Sequence, residues 1–139
     1  EMEKAQADYQ KILNEGNSND LMAAAAAKAG RDYTMYISVV VNSNQVTPDA
    51  NAANLALPPG ARAAFQWNTT REQVTEGHAL ILLGQWQRST DGSWKRVRHP
   101  EMAPTAAQVI SISITADPER LPATIASIDV KALATKVPN

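Results

Sequence analysis

The chain has 139 residues, of which 44% are hydrophobic and 19% charged, and this size and composition fit one globular domain with a buried core. Its formal net charge of −1 disfavours a protein whose main partner is nucleic acid, because such proteins are usually strongly basic. The absence of cysteine excludes disulfides, thiol catalysis and cysteine–zinc sites.

The first 30 residues have the pattern of a helical segment. In residues 1–14 apolar side chains recur at spacings of three and four, which predicts an amphipathic helix. After a break at residues 16–19, the run LMAAAAAKA has a high helix propensity and predicts a second helix that ends at Gly30. We interpret the second helix as a packing element, because alanine is small and carries no chemistry of its own.

Residues 33–41 (YTMYISVVV) are β-branched and aromatic, which predicts a strand. The strand is apolar on both faces towards its end, a pattern typical of a central strand. The next segment, 42–62, is rich in Asn and Pro and has no clear periodicity, so we expect a long surface loop with one helical turn around Asp49 to Leu55. Leu55 and Leu57 are its candidate anchor points for a partner.

Residues 63–67 predict a short strand, and the residues that follow fit a capping box that opens a short helix over 69–77. Farther along, residues 108–116 (QVISISITA) alternate strictly, which predicts a strand with isoleucines inward and a wet or lightly covered outer face. Residues 123–136 suit either a helix or a strand. We expect a last strand near 123–130 and a short helical tail.

Residues 79–99 (ALILLGQWQRSTDGSWKRVRH) predict one β-hairpin with its turn at the Asp-Gly pair 91–92. A two-residue type I′ turn places Trp86 opposite Val97. A three-residue loop would instead place Trp86 opposite Arg96 and mix the apolar and charged faces. We therefore expect the two-residue register, since a slip is costly wherever one face is buried.

In that register Trp86 and Val97 are buried, and Trp94 points to solvent among cationic side chains. Aromatic and Arg anchors are enriched at binding hot spots, so the exposed face is a candidate contact surface. The alternative is an ordinary solvated strand face on which Arg stems lie over the indole. With the two loop leucines, the candidate interaction residues are Trp94, Arg96, Arg98, Arg88, Lys95, Leu55 and Leu57.

Together these elements predict a single α+β domain over residues 1–139. It has a helical segment, 1–30, and a sheet region, 33–130, that contains the long loop 42–62. In this fold two N-terminal helices pack on a mostly antiparallel sheet of four to five strands.

The sequence shows no constellation typical of a catalytic, cofactor or metal site. Its two histidines, His78 and His99, each lie near a glutamate at a strand end, but a site needs more converging partners. A nucleophile turn of the G-x-S-x-G type and a glycine-rich phosphate loop are both missing. We therefore expect no enzyme activity, no cofactor and no metal. One alternative is a small ligand-binding or enzymatic domain that uses His78 or His99.

The pattern favours a non-catalytic interaction or assembly subunit that self-associates or binds a protein partner through the Trp/Arg hairpin and the Asn/Pro loop. A second alternative is polyanion or nucleic-acid binding at the basic hairpin tip, with an affinity that falls steeply with salt. The low charge and the many small polar residues favour an extracytoplasmic, secreted or particle-associated location, with a cytoplasmic one as the alternative. The longest apolar run is strand-sized, so we expect no transmembrane segment.

Overall fold

The computed structural model describes residues 35–139, which form eight strands and two short helices. In chain order the elements are β1 (Tyr36–Val41), β2 (Gln45–Val46), β3 (Ala53–Asn54), β4 (Ala63–Arg71), β5 (Val74–Gly84), β6 (Trp86–Arg88), β7 (Trp94–Arg96), β8 (Val109–Ala116), α1 (Leu121–Ala126) and α2 (Val130–Ala134). The two helices predicted within residues 1–30 lie outside the described residues.

The strands form two antiparallel sheets. The large sheet has five strands in the order β1–β8–β5–β4–β3, and the small sheet has three in the order β2–β7–β6. Because β5 pairs with both β4 and β8, its eleven residues form the centre of the large sheet. Side chains alternate along a strand, so β5 contributes to a separate core on each face of that sheet.

On one face, the large sheet packs against the C-terminal helices. Ile81 on β5 lies opposite Ile112 on β8, and both side chains have no exposed surface. Leu121 and Val130 cover them from α1 and α2. The isoleucines of 108–116 therefore point inward, as the alternation predicts.

On the other face, the large sheet packs against the small one. Leu80 and Leu82 of β5 form a cluster there with Trp86 of β6 and Val109 of β8. Trp86 is only 2% exposed, and its indole Nε1–H donates to the carbonyl oxygen of Leu83 at 2.9 Å. Trp86 is thus the most deeply buried of the small-sheet side chains that pack on the large sheet, and Val46 and Trp94 pack beside the same cluster.

The predicted α+β architecture is wrong. The described residues are mostly β, they form two sheets, and the helices that pack on the large sheet are C-terminal. The predicted strand near 123–130 is also wrong, because residues 121–126 and 130–134 are helical and the three residues between them form a turn. Pro122 does not interrupt α1, since it lies in the first turn, where a backbone N–H has no partner within the helix.

The predicted helix over 69–77 is wrong as well. β4 and β5 instead form a long hairpin in which Arg71 pairs with Val74. The two turn residues, Glu72 and Gln73, have φ angles of 51° and 64°. Continuous pairing along all nine residues of β4 outweighs the local capping signal.

The segment 42–62 is more ordered than a surface loop. It contains β2 and β3, and in place of the predicted helical turn it has one hydrogen-bonded turn, in which the N–H of Ala52 donates to the carbonyl oxygen of Asp49 at 2.9 Å. Asn42, with a φ of 60°, begins it, and its side chain is tied to the start of β8. Its Nδ2 donates to the carbonyl oxygen of Ala106 at 2.8 Å, and its Oδ1 accepts from the N–H of Gln108 at 2.7 Å.

The predicted single hairpin over 79–99 is divided in the structure. Gly84, with a φ of 90°, separates β5 from β6, so the two halves of the predicted strand belong to different sheets. β6 then pairs with β7 in the three-residue register, with Trp86 opposite Arg96 and Arg88 opposite Trp94. The predicted two-residue register is therefore wrong.

The turn itself explains the register. The carbonyl oxygen of Ser89 accepts from the N–H of Gly92 at 3.1 Å, and Gly92 has a φ of 86°. This is a tight turn followed by a residue in the left-handed region, a standard three-residue hairpin loop. Asp91 stabilises it, because its Oδ1 accepts from both the backbone N–H and the Oγ of Ser93.

Candidate functional site

The hairpin tip and the segment 47–57 face each other across an open cleft of about 870 Å³, which we call the main cleft. This volume lies in the range of ligand-binding sites. The segment forms one wall, the tip of the β6–β7 hairpin forms the other, and the beginning of β4 forms the floor. The side chains that define its chemistry are Leu55, Leu57, Arg62, Phe65, Arg88 and Trp94.

Two aromatic rings form the apolar part of the main cleft. The rings of Phe65 and Trp94 have centroids 5.8 Å apart and are tilted by 56°. Trp94 was expected to point to solvent, but it lies on the same face of the small sheet as Trp86 and is half-buried. The three-residue register causes this, because it places both tryptophans on the side that faces the large sheet.

Two arginines mark the place where the main cleft meets a second opening of about 640 Å³, the side cleft. Arg62, Arg88 and Trp94 line both. The Nε of Arg62 donates to the carbonyl oxygen of Trp86 at 3.5 Å, which holds this guanidinium near the hairpin. Arg88 is exposed and forms no ion pair within residues 35–139.

Two carboxylates also line the main cleft, but both are engaged by their own turns. Oδ1 of Asp49 accepts from the N–H of Asn51 at 2.9 Å, and Asp91 is held by Ser93. Each carboxylate thus has one oxygen engaged by its own turn, whereas no hydrogen bond or ion pair engages the guanidinium of Arg88 within the described residues. Because Arg binds carboxylates through paired hydrogen bonds, the cleft is better suited to a ligand that supplies acceptors.

The hydrogen bond from the Oγ of Ser93 is the main reason that the pKa of Asp91 is lowered, followed by the backbone N–H of Ser93. A pKa lowered by folding means that the ionised carboxylate stabilises the turn at neutral pH. This contribution is lost as the pH falls through the lowered pKa.

Ser93→Ala is therefore expected to raise the pKa of Asp91 towards its ordinary value, because the strongest donor to the carboxylate is removed. A pH titration of the Asp91 side chain by carbon-detected NMR measures this shift. Ser89→Ala is the control, since the hydrogen bonds of Ser89 in the turn come from its backbone. Equal pKa values of Asp91 in the two variants would contradict the assignment.

The structure brings some predicted contact residues together and separates others. Arg88, Trp94, Leu55 and Leu57 all line the main cleft, although Leu55 also packs against the helix-side core. The other three cationic residues lie elsewhere. Lys95 is on the opposite face of the small sheet, Arg96 is half-buried with an Nε that has no partner among the described residues, and Arg98 follows the end of β7.

Two residues of the cleft were missed in the sequence. Phe65 is the only phenylalanine of the chain and was assigned only to a short strand. Arg62 precedes that strand directly, and a cation beside an apolar strand is too common to indicate a site. Their role depends on the small sheet that covers β4, which the sequence pattern did not reveal.

Neither histidine lines the main cleft or the side cleft, and each has partners elsewhere. The ring of His78 stacks on the ring of Trp67, with centroids 5.5 Å apart. Its two ring nitrogens lie 2.7 Å from Thr69 Oγ1 and 3.1 Å from Thr115 Oγ1. His99 Nδ1 lies 3.0 Å from an Oε1 of Glu101. These contacts join each imidazole ring to side chains beside it in the fold, and the two rings do not converge on one reacting centre.

Over residues 35–139, no group of three or more His, Asp or Glu side chains is arranged to hold a metal ion. Within the same described part, no helix has the length and apolar character required to cross a bilayer. Comparisons of this chain with protein-family models, with curated proteins and with solved structures found no match.

Proposed function

We propose that this protein is a non-catalytic binding module that takes a segment of a protein partner into the main cleft. One observation carries the proposal. The hairpin tip and the segment 47–57 are far apart in the sequence, yet they meet across a cleft that combines the aromatic pair Phe65 and Trp94 with an arginine that has no ion pair among the described residues. Trp and Arg are the residues most enriched at the energetic centres of protein interfaces.

The side chains of the main cleft indicate which residue types the partner segment should contain. Phe65 and Trp94 offer an apolar surface for one large side chain, and Leu57, which is 58% exposed, extends that surface along the rim. Arg88 can donate two parallel hydrogen bonds to a carboxylate beside that side chain. The expected partner segment therefore has an apolar anchor flanked by Asp or Glu.

The geometry gives less support to the two alternatives. Polyanion binding needs the basic residues of the hairpin on one surface, but Arg88 and Lys95 lie on opposite faces of the small sheet. Enzymatic use of the histidines needs converging groups, and neither His78 nor His99 lines the cleft. An extracytoplasmic location stays a prediction from composition.

Selection from random peptides displayed on phage tests the proposal without a known partner. We expect peptides enriched on the immobilised protein to share an apolar residue next to Asp or Glu. Enrichment of basic peptides, or no enrichment above an uncoated surface, would overturn the proposed function.

Arg88→Glu is the variant that tests the site, because Arg88 is exposed and its replacement leaves the core unchanged. The variant loses a charge-assisted contact and gains a repulsion. We therefore expect the selected peptides to bind it about tenfold or more weakly than the wild type, as measured by calorimetric titration. Lys95→Glu makes the same charge change on the opposite face of the hairpin and is expected to change affinity by less than about threefold. Equal losses in both variants would assign the binding to net charge and not to the cleft.

A further inference from the structure

The first strand has the composition of a central strand but lies at the edge of the large sheet. β1 pairs with β8 on one side, and no described strand lies on its other side. Seven large hydrophobic side chains are exposed in the described part of the chain, and six of them belong to residues 35–41: Met35, Tyr36, Ile37, Val39, Val40 and Val41. Their exposed fractions lie between 43% and 68%.

Among the described residues, the outer backbone edge of β1 also has no pairing strand. The N–H of Asn42 donates to the carbonyl oxygen of Val109, and this register continues along β1 and β8. Hydrogen bonding alternates in an antiparallel pair, so Ser38 and Val40 direct their backbone groups at β8. The N–H and C=O groups of Ile37, Val39 and Val41 then point away from the sheet.

Natural sheets usually protect such an edge with charges, prolines, bulges or a covering segment. Residues 35–47 contain no charged residue and no proline, and β1 pairs with β8 over its whole length without a bulge. Contiguous exposed apolar side chains of this kind often mark an interaction site. These features are typical of a strand that pairs with another strand.

We propose that β1 pairs antiparallel with β1 of a second copy of this chain, around a two-fold axis near Val39. The pairing joins two five-stranded sheets into one sheet of ten strands. With Val39 opposite Val39 of the second copy, Ile37 lies opposite Val41 of that copy. All three side chains share the helix side of the sheet, so the apolar row continues across the axis.

Two properties favour a second copy as the occupant of this edge. A two-fold interface brings each surface against itself, so any charge on β1 would repel its equivalent, and β1 has none. The register centred on Val39 also places only apolar side chains opposite one another on the helix side of the sheet, so this edge is complementary to itself. The pairing does not use the main cleft, so it stands or falls independently of the proposed function.

Sedimentation velocity of the full chain over a range of concentrations measures the association. We expect a monomer–dimer equilibrium in the wild type and a monomer in Val39→Lys, because a charge on each copy would meet its equivalent near the axis. Thr70→Lys is the matched control, since it places the same charge at an exposed β-branched residue of β4 and should leave the dimer intact. A wild type that remains monomeric, or a dimer that Val39→Lys does not weaken, would overturn the proposal.

Amide hydrogen exchange of the wild type provides a test that needs no variant. The amides of Ile37, Val39 and Val41 should become protected as concentration rises, whereas those of Ser38 and Val40 should be protected at every concentration. Protection of all five amides in the monomer would also overturn the proposal, because it would mean that another segment of the same chain covers this edge.

Discussion

Replacing Trp86 with alanine is expected to lower the free energy of unfolding by about 3–5 kcal/mol, the usual loss for a fully buried tryptophan. Its side chain is the largest of the fully buried ones in the cluster between the two sheets, and its indole N–H donates to the carbonyl oxygen of Leu83. Its removal leaves a cavity at the place where the small sheet is attached. Urea denaturation followed by circular dichroism measures the loss.

Trp67→Ala is the control for this substitution, because Trp67 is only half-buried and stacks on His78 near the end of the same cluster. We expect Trp67→Ala to lower the free energy of unfolding by clearly less than Trp86→Ala does. If the two variants are equally destabilised, Trp86 is not the side chain that holds the sheets together.

Gly84→Ala is expected to lower the free energy of unfolding by about 2–5 kcal/mol, from two separate causes. The φ of 90° lies in the left-handed region, which costs a residue with a Cβ about 1–2 kcal/mol. The added Cβ would also lie 2.6 Å from the carbonyl oxygen of Gln108 and 3.1 Å from the Cα of Val109, which are backbone atoms that cannot rotate away. Thermal and urea unfolding measure the total.

Gly92→Ala separates the two causes. Gly92 has nearly the same φ, 86°, but a Cβ built there meets no atom within 4 Å. It should therefore show only the backbone cost of about 1–2 kcal/mol. Equal costs at Gly84 and Gly92 would contradict the close packing of β8 against the bend between β5 and β6.

The comparison of sequence and fold shows where local patterns suffice. Strict alternation in 108–116 correctly predicted both the strand and its inward isoleucines, because the pattern follows directly from the geometry of one strand. The prediction of one hairpin over 79–99 was wrong for two local reasons. An isolated glycine in an apolar strand can mark a bend, and Gly84 ends β5 at such a bend. An Asp-Gly pair also fits a three-residue loop, in which only the glycine needs a positive φ.

Other features depend on which strands become neighbours, which one strand cannot encode. β1 was expected at the centre because both its faces are apolar, yet the order of the large sheet places it at an edge. The contact residues of the hairpin and of the 42–62 segment were recognised separately. That Arg88 and Leu57 line one cleft depends on the docking of the small sheet on β4 and β5.

The indole N–H signals of Trp67, Trp86 and Trp94 provide the most direct test of binding in the main cleft. In ¹⁵N-labelled protein titrated with a peptide selected on phage, we expect the Trp94 signal to shift, because its ring lines the main cleft beside Phe65. The Trp86 signal should stay in place, since its N–H is buried and hydrogen-bonded to Leu83, and so should that of Trp67, which lines neither cleft. A saturating peptide that shifts Trp67 and leaves Trp94 unchanged would contradict the assignment of the main cleft as the binding site.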